Sequence, residues 1–335
     1  MFDTAREVAR FQKQEVALGS EARRNMTKRR DTNRDRLKAG LKANENPKPI
    51  GCHTQGSYKM WTMVQDADLD YDIDDGVYFN ATDLVGDRGG EMSARAVREM
   101  VCAALQDEKF ARAPEALKNC VRVYYGEGYH VDVPAYRQIQ KSSLLSGTKQ
   151  EYELAGATWR ESDPREVTNW FSRTNAALSP DDGDGQFRRI VRLLKMFSKS
   201  RPTWKTGNLS GFALTVVASE RFYADANRED ISLRETMKGI AARLEYDQAI
   251  GHPVLNEKLT EQGDASAKRF YERLKNNLSH LDVLDDADCD HETAMKAWDK
   301  VFARSWFSDQ PPSKDSGTPT RAVVKKGDAR YAKPL

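Results

Sequence analysis

The spacing of apolar and polar residues divides the chain into a helical N-terminal segment, a β-rich middle and a helical C-terminal half. Residues 1–43 hold few helix breakers, and Pro47 and Pro49 end that pattern, because a residue before proline is driven away from helical geometry. Alternating apolar and β-prone residues predict a strand over 71–79. From about Asp163 onward the pattern becomes that of helices.

A β-hairpin is predicted where Arg122–Tyr125 and Tyr129–Val133 flank a turn that contains two glycines. Successive side chains of a strand point to opposite faces, so His130 and Asp132 share the face opposite to Val131. We expect Asp132 to be a strand carboxylate without a partner in its own neighbourhood.

Apolar residues at helical spacing predict the remaining helices, with Ser93 as the N-cap of one and Ser210 opening another. These helices are expected near residues 93–105, 187–200, 210–223, 231–247, 264–281 and 291–307. In the 187–200 helix the basic face holds Arg188, Arg192, Lys195 and Lys199. Solvation is the expected state of Lys199 and Arg188. From Ser308 the chain is rich in proline and poor in core residues, which predicts a mobile tail.

Composition narrows the class of protein. The 335 residues are 39% hydrophobic and 31% charged, and the net charge is +2, which fits a globular protein with a sizeable core rather than one coated in basic charge for duplex DNA. No apolar run is long enough to span a membrane and the start does not have the pattern of a secretory signal. The four scattered cysteines indicate reduced thiols, so a cytoplasmic location is expected.

Basic residues crowd one part of the N-terminal helical segment. Their set is Arg23, Arg24, Lys28, Arg29, Arg30, Arg34, Arg36, Lys38 and Lys42. A solvated helix face is the first interpretation, and a surface that contacts a polyanion or the phosphates of a product is the second.

The segment around Gly56 and Ser57, followed by Asp72 and Asp74, carries the most specific chemistry. Asp72 and Asp74 are two residues apart on a predicted strand and therefore project to one side. Together with Asp132 they form a set of carboxylates that can hold two Mg²⁺ ions about 4 Å apart for nucleotidyl transfer. A solvated acidic edge strand is the alternative, and it is the expected role of the nearby Asp66, Asp68, Asp70 and Asp75.

Backbone N–H groups at the Gly56–Ser57 turn can bind a phosphate, although an ordinary helix cap would use the same residues. Lys195 and Ser210 could meet that phosphate from the other part of the chain, and the spacing leaves this contact open. Cys289 with His291 and the loop at 181–185 do not match zinc or calcium motifs, and no Walker A or GxGxxG motif occurs. A packing or supporting role is expected for His130.

Five motifs, in this order, resemble the bacterial cGAS/DncV-like nucleotidyltransferases, or CD-NTases, from about residue 15 to residue 307. They are QGSYKMWT, DYDIDDGVYF, HVDVPAYR, SDPREVTNWF and RRIVRLLKMFSKSRPTW…LSGFALT. The resemblance implies an α+β fold with a polymerase-β-like nucleotidyltransferase core, a C-terminal helical lobe and a long N-terminal helix that braces both. The implied division is 1–160 for the brace and core, 161–307 for the helical lobe and 308–335 for a flexible tail.

The resemblance also implies roles for individual residues. Gln55, Gly56 and Ser57 match the phosphate-binding turn of the family, and Lys195 and Ser210 look like its triphosphate contacts. The metal-binding and catalytic triad corresponds to Asp72, Asp74 and Asp132. The implied cofactor is Mg²⁺, with Mn²⁺ as a substitute. Trp61 is bulkier than the small residue that the family pattern leads us to expect.

The expected activity is the synthesis of a cyclic di- or trinucleotide from nucleoside triphosphates, with ATP and GTP as the expected substrates. In the family such products activate effectors in anti-phage defence, some members respond to a regulatory or conjugating partner protein, and nucleic acid is not required. The alternatives are a linear oligonucleotide, RNA-tailing or protein-nucleotidylating transferase on the same core, and a catalytically dead RNA-binding module.

Overall fold

The computed structural model describes residues 1–66, 71–86, 88–126, 128–143, 147–180, 183–204 and 206–311. Asp68, Asp70 and the first two residues of the 181–185 loop lie outside the described residues, as does the predicted tail from residue 312. None of the helices in the described part has the length and apolar composition needed to cross a membrane.

Helices occupy both ends of the described chain. They are α1 Ala5–Phe11, α2 Ser20–Ala43, α3 Gly56–Lys59, α4 Ala94–Ala104, α5 Pro164–Leu178, α6 Gln186–Ser198, α7 Gly211–Arg221, α8 Glu229–Tyr246, α9 Ala265–Leu278 and α10 His291–Phe302. A π-helical segment Gln12–Val16 follows α1, and short 3₁₀ segments cover Ala81–Asp83, Pro202–Trp204 and Ser279–Asp285.

Strands fill the middle of the chain. They are β1 Gly51–Gln55, β2 Tyr71–Asn80, β3 Glu115–Ala116, β4 Val121–Tyr124, β5 Tyr129–Val133, β6 Ala135–Ser143, β7 Gly147–Ala155, β8 Trp159–Glu161, β9 Ile250–Gly251 and β10 Lys258–Thr260. The first eight form one mixed sheet, and the last two pair with each other.

Strand β2 is the central strand of the large sheet and pairs with β1, β5 and β6. Asp74 pairs with Gln55 of β1 and with Asp132 of β5, so β1 and β5 flank β2 on opposite sides. Strands β5 and β6 both run parallel to β2 with one constant offset, and Pro134 between them accepts a hydrogen bond from the backbone of Val77. Strands β4 and β7 then add antiparallel to β5 and β6.

The N-terminal segment is two helices rather than one. Ala17 and Gly19 are extended, with ψ values of 134° and 152°, and they separate α1 with its π-helical continuation from α2. Phe11 is buried among Phe302, Trp306 and Phe307 in the C-terminal helical part. Helix α2 instead packs on the sheet and α4.

Two large apolar clusters follow from this arrangement. One lies between the sheet, α2 and α4, and the other between α1 and the C-terminal helices around Trp298. Met60 and Val64, on the loop after α3, belong to the second cluster, so the segment that leaves the sheet region is anchored in the helical part. The two clusters agree with an α+β fold of a sheet-containing core joined to a helical lobe. The division at residues 160 and 307 stays a prediction.

The predicted β2, the hairpin and the later helices are confirmed, and Ser93 caps α4 by accepting from the backbone N–H of Ala96. Strands β6, β7 and β8 had not been predicted from the sequence. Residues 308–311 belong to the described fold: the backbone of Ser308 donates to Asp299 at 3.0 Å, and Arg10 donates to Gln310 at 2.9 Å.

Candidate active site

Three carboxylates meet at the adjoining parts of β2 and β5. Asp72 and Asp74 project from one face of β2, and Asp132 stands beside Asp74 in the parallel register. One oxygen of each carboxylate lies within 4.8 Å of the other two. Among the described residues, this is the one place where three or more potential metal ligands lie so close together. The alternation of strand side chains therefore places the predicted triad at one point.

The charges of these carboxylates oppose one another. Burial, together with repulsion from Asp72 and Asp132, raises the pKa of Asp74 to about 7. Loss of solvation and the charge of Asp132 raise the pKa of Asp72 as well. Arg122 counteracts the rise at both positions. Carboxylate oxygens are the ligands that Mg²⁺ and Mn²⁺ prefer. A bound cation of this kind would neutralise the charges that repel one another here.

The Gly56–Ser57 turn lies directly against Asp74. Gly56 has φ +64°, and a Cβ atom there would overlap Oδ2 of Asp74. Only glycine therefore permits this approach without strain. Helix α3 begins at the same turn, so backbone N–H groups of Gly56 and Ser57 stand beside the carboxylates, where a phosphate bound to the same metal would lie.

The side chain of Gln55, next to this turn, is hydrogen-bonded to two tyrosines. Its Nε2 donates to the hydroxyl of Tyr136 at 2.9 Å, and its Oε1 accepts from Tyr78 at 3.5 Å. A Cβ atom at Gly76 would come 2.8 Å from Oε1 of Gln55, which explains the glycine in mid-strand. Gln55 thus supports β1 and β2 beside Asp74, and its role in nucleotide binding stays a prediction.

Lys195 enters the same region from α6 and is buried, not solvated. Its side chain is 9% exposed, and Nζ donates to Oγ1 of Thr62 at 2.9 Å. Burial lowers the pKa of Lys195 to about 7, with a further decrease from Lys199 and an opposing effect from Asp72. An anion in the site would favour the charged lysine, so the residue is suited to bind a triphosphate.

The beginning of α7 lies next to Lys195. A Cβ atom at Gly211 would be 3.4 Å from Cε of Lys195, and the preceding Ser210 caps α7 by accepting from the backbone of Ala213 at 3.1 Å. Lys195 and the start of α7 are therefore neighbours, and whether both meet the same phosphate stays a prediction. The role of Ser210 toward phosphate stays a prediction.

Other members of the basic face of α6 have partners. Arg192 is 7% exposed and, like Arg188, forms an ion pair with Asp184. Lys199 lies 3.8 Å from Asp66. The expected solvation holds for Lys199, whose side chain is 51% exposed, but not for Arg188, whose side chain is 19% exposed.

Two functional contacts were missed from the sequence. Asp132 was expected to have no local partner, and this was wrong: Arg122 on β4 forms two hydrogen bonds of 2.7 Å with its carboxylate. Thr62 was not assigned a role. The predicted hairpin could have indicated Arg122, because its antiparallel register pairs position 122 with position 132.

Asp75 was expected to be a solvated acidic residue, and this was also wrong. It points away from Asp74, is 4% exposed, and accepts hydrogen bonds of 2.6 Å from Arg34 and 3.0 Å from Thr54. The ion pair fastens α2 to β2 on the face of the sheet opposite to the triad.

A basic cavity of about 800 Å³ opens beside β1, and Arg34 of the ion pair lines it. Its cationic lining residues are Arg23, Arg24, Arg30, Arg34, Lys59 and Arg165. Trp61 lines it too, with φ +59°, a side chain that is 53% exposed, and the guanidinium of Arg23 at 3.5 Å from its ring. Two members of the basic helix face have partners within the protein: Arg23 donates to the carbonyl of Tyr58 at 2.8 Å, and Arg34 pairs with Asp75. The polyanion-binding interpretation of this face stays a prediction.

Residues 51–136 match the family model described as cyclic GMP-AMP synthase DncV-like, nucleotidyltransferase domain. This range contains the phosphate turn and all three carboxylates.

Solved structures resemble nearly the whole chain. Apo DncV from Vibrio cholerae has a TM-score of 0.67 at 16% identity, covering 88% of this chain and 93% of that chain. Escherichia coli MS115-1 CdnC with ATP has a TM-score of 0.66 at 15% identity, covering 90% and 98%. A mutant of Vibrio cholerae DncV in complex with ATP, GTP and 5MTHFGLU2 has a TM-score of 0.69 at 16% identity, covering 91% and 96%. Residues 51–136 therefore match the nucleotidyltransferase domain of the DncV-like family, within a chain whose fold is that of the DncV and CdnC nucleotidyltransferases.

Proposed function

We propose that the protein is a Mg²⁺-dependent synthase of a cyclic di- or trinucleotide. The observation that carries the proposal is the convergence of Asp72, Asp74 and Asp132 on one point, with the Gly56–Ser57 turn directly against Asp74. This arrangement can hold two cations and a triphosphate side by side, which is what nucleotidyl transfer requires.

The chemistry is the attack of a ribose hydroxyl on the α-phosphorus of a nucleoside triphosphate. A P–O bond forms, the bond to pyrophosphate breaks, and the hydroxyl proton is released. Bound at the three carboxylates, the metal ions would lower the pKa of the hydroxyl and offset charge on pyrophosphate. The backbone at Gly56 and Ser57 binds phosphate oxygens, and Lys195 supplies a positive charge once the triphosphate is present. A second attack of the same kind closes the ring of a dinucleotide, and a trinucleotide requires a third.

ATP and GTP are the proposed substrates. The similar DncV and CdnC structures include complexes with ATP and GTP, which supports this choice. We also propose a cytoplasmic role in anti-phage signalling, in which the cyclic product activates an effector. A regulatory partner protein is part of the proposal, supported by the solved complex of Escherichia coli CdnC with HORMA-deltaN.

The test is to incubate the purified protein with four labelled nucleoside triphosphates and Mg²⁺, then to treat the products with phosphatase and analyse them by mass spectrometry. A phosphatase-resistant product whose mass is that of a cyclic nucleotide is expected, and Asp74→Asn should not form it. A phosphatase-sensitive product would indicate linear synthesis or RNA tailing, and label on protein would indicate protein nucleotidylation. Salt-dependent RNA binding without nucleotide consumption would favour the binding-module alternative.

A further inference from the structure

Arg122 and Asp132 are held opposite each other by the β4–β5 hairpin. They are directly paired in the antiparallel register, and the guanidinium meets the carboxylate with Nε on Oδ1 and Nη2 on Oδ2, both at 2.7 Å. A planar fork of two parallel hydrogen bonds fixes the plane of a carboxylate as well as its position.

The environment of the pair makes this restraint strong. The side chain of Asp132 is 9% exposed and that of Arg122 is 30% exposed, so the guanidinium covers the carboxylate while its other edge reaches solvent. Asp132 is also the member of the triad that comes from a different strand, and its orientation toward Asp72 and Asp74 is not fixed by the geometry of β2. A contact outside β2 must set it.

We propose that Arg122 is a positioning residue that holds the carboxylate of Asp132 in the plane in which it completes the metal site with Asp72 and Asp74. The proposal rests on the metal-dependent function proposed above. Arg122 contacts neither substrate nor metal in this role and acts through Asp132. Hydrogen-bonding partners of metal ligands commonly contribute about 10–100-fold to metal affinity or activity.

Two roles for Arg122 predict opposite results. If the arginine only offsets negative charge, its removal leaves a more negative cluster, and a divalent cation should bind more tightly. If it positions Asp132, its removal frees the carboxylate to rotate, and the cation should bind more weakly. The sign of the change in metal affinity therefore separates positioning from charge compensation.

The experiment measures binding of Mn²⁺ alone to the full chain, from the electron paramagnetic resonance signal of the free ion, without nucleotide. Arg122→Met is expected to weaken binding about 10–100-fold. Arg122→Lys should lie between that variant and the wild type, because an ammonium cannot form the fork. Arg112→Met is the matched control: this arginine pairs with Glu115, adjacent to β4, and its side chain is 62% exposed. It should bind Mn²⁺ like the wild type.

Turnover gives a second measurement. With Mn²⁺ saturating, Arg122→Met should lower kcat while the KM for nucleoside triphosphate changes little, because the phosphate turn and Lys195 are intact. Thermal unfolding in EDTA checks that each variant is folded. If Arg122→Met does not fold, Mn²⁺ binding by Arg122→Lys is compared with that of the wild type instead.

Equal or tighter Mn²⁺ binding in the folded Arg122 variants would overturn the positioning role. A different result, in which the wild type itself binds no Mn²⁺ and forms no product, would overturn the proposed function instead.

Discussion

Lys195 donates a hydrogen bond of 2.9 Å to the hydroxyl of Thr62, and both side chains are buried. The backbone N–H of Thr62 in turn donates to the carbonyl of Ser57 at 2.9 Å. One threonine therefore connects the phosphate turn beside β1 to the lysine that α6 carries in the helical part of the molecule.

Removing the hydroxyl of Thr62 should weaken nucleotide binding. Thr62→Val keeps the size of the side chain but leaves Lys195 without its acceptor, and we expect the KM for nucleoside triphosphate to rise about tenfold, the effect of about 1.4 kcal/mol. Thr62→Ser keeps the hydroxyl and is the matched control. Steady-state kinetics would contradict the prediction if the two variants had the same KM.

Nucleotide binding should take up a proton. The pKa of Lys195 is about 7 in the free protein, below its ordinary value of 10.5, so at pH 8 the lysine is mostly neutral. A bound triphosphate favours the charged form. Calorimetry with a non-hydrolysable nucleotide in two buffers of different ionisation enthalpy should show uptake at pH 8 that is absent in Lys195→Met. Equal binding enthalpies in both buffers would contradict this assignment.

The lowered pKa of Lys195 also determines how the stability of the folded protein changes with pH. Between pH 7 and 10.5 the unfolded chain binds a proton at Lys195 that the folded chain does not. The contribution of Lys195 to stability therefore rises with pH across this window, and the melting temperature of Lys195→Met should exceed that of the wild type by more at pH 7 than at pH 10.

Adding one methyl group at Gly56 should inactivate the enzyme. Gly56→Ala strains a left-handed backbone and displaces the carboxylate of Asp74, so we expect activity to fall about 100-fold. Gly89→Ala is the matched control, because Gly89 has φ +73° but no atom within 4 Å of an added Cβ. It imposes the backbone strain alone and should leave kcat unchanged. Equal losses in both variants would show that strain, rather than displacement of Asp74, is responsible.

Asp74→Asn should abolish turnover and stabilise the metal-free protein. The folded pKa of Asp74 is about 7, above the ordinary value of 3.8, so stability from this group is full below pH 3.8 and is lost as pH rises toward 7. In EDTA the melting temperature of the variant should exceed that of the wild type by about 2–4 °C at pH 8 and by less at pH 5. Mg²⁺ should raise the melting temperature of the wild type more than that of the variant. A variant that melts below the wild type at pH 8 in EDTA would contradict the repulsion among the carboxylates.

The sequence was enough to predict those site residues whose positions depend only on local strand and hairpin geometry. Alternation along β2 was enough to put Asp72 and Asp74 on one face, and a hairpin of fixed turn length placed Asp132 on the next strand. The predictions about charge failed where the partner lies outside the element that carries the charge. Asp75 and Arg188 were expected to be solvated, but α2 covers the first, and the second pairs with Asp184 before α6.

Strands β6 and β7 were missed for a different reason. Residues 135–143 and 147–155 are mostly polar and do not show the regular alternation that marks a half-buried strand. The two strands pair at eight positions, from Tyr136 with Leu154 to Ser143 with Gly147. Backbone hydrogen bonds form this pairing, and the side-chain pattern does not predict it.

Asp74 and Asp75 are neighbours on β2 that serve opposite faces of the sheet, one the triad and the other the ion pair with Arg34. A slip of β2 by one residue would exchange them, since the side-chain period of a strand is two. A slip in one direction would put Asp74 opposite Arg34 and leave Tyr71 and Ile73 in the two metal-ligand positions. A slip in the other direction would put Gly76 opposite Arg34 and Ile73 in the position of Asp72. Either shift would therefore put a hydrophobic side chain in place of at least one metal ligand, so catalysis depends on this one register of β2.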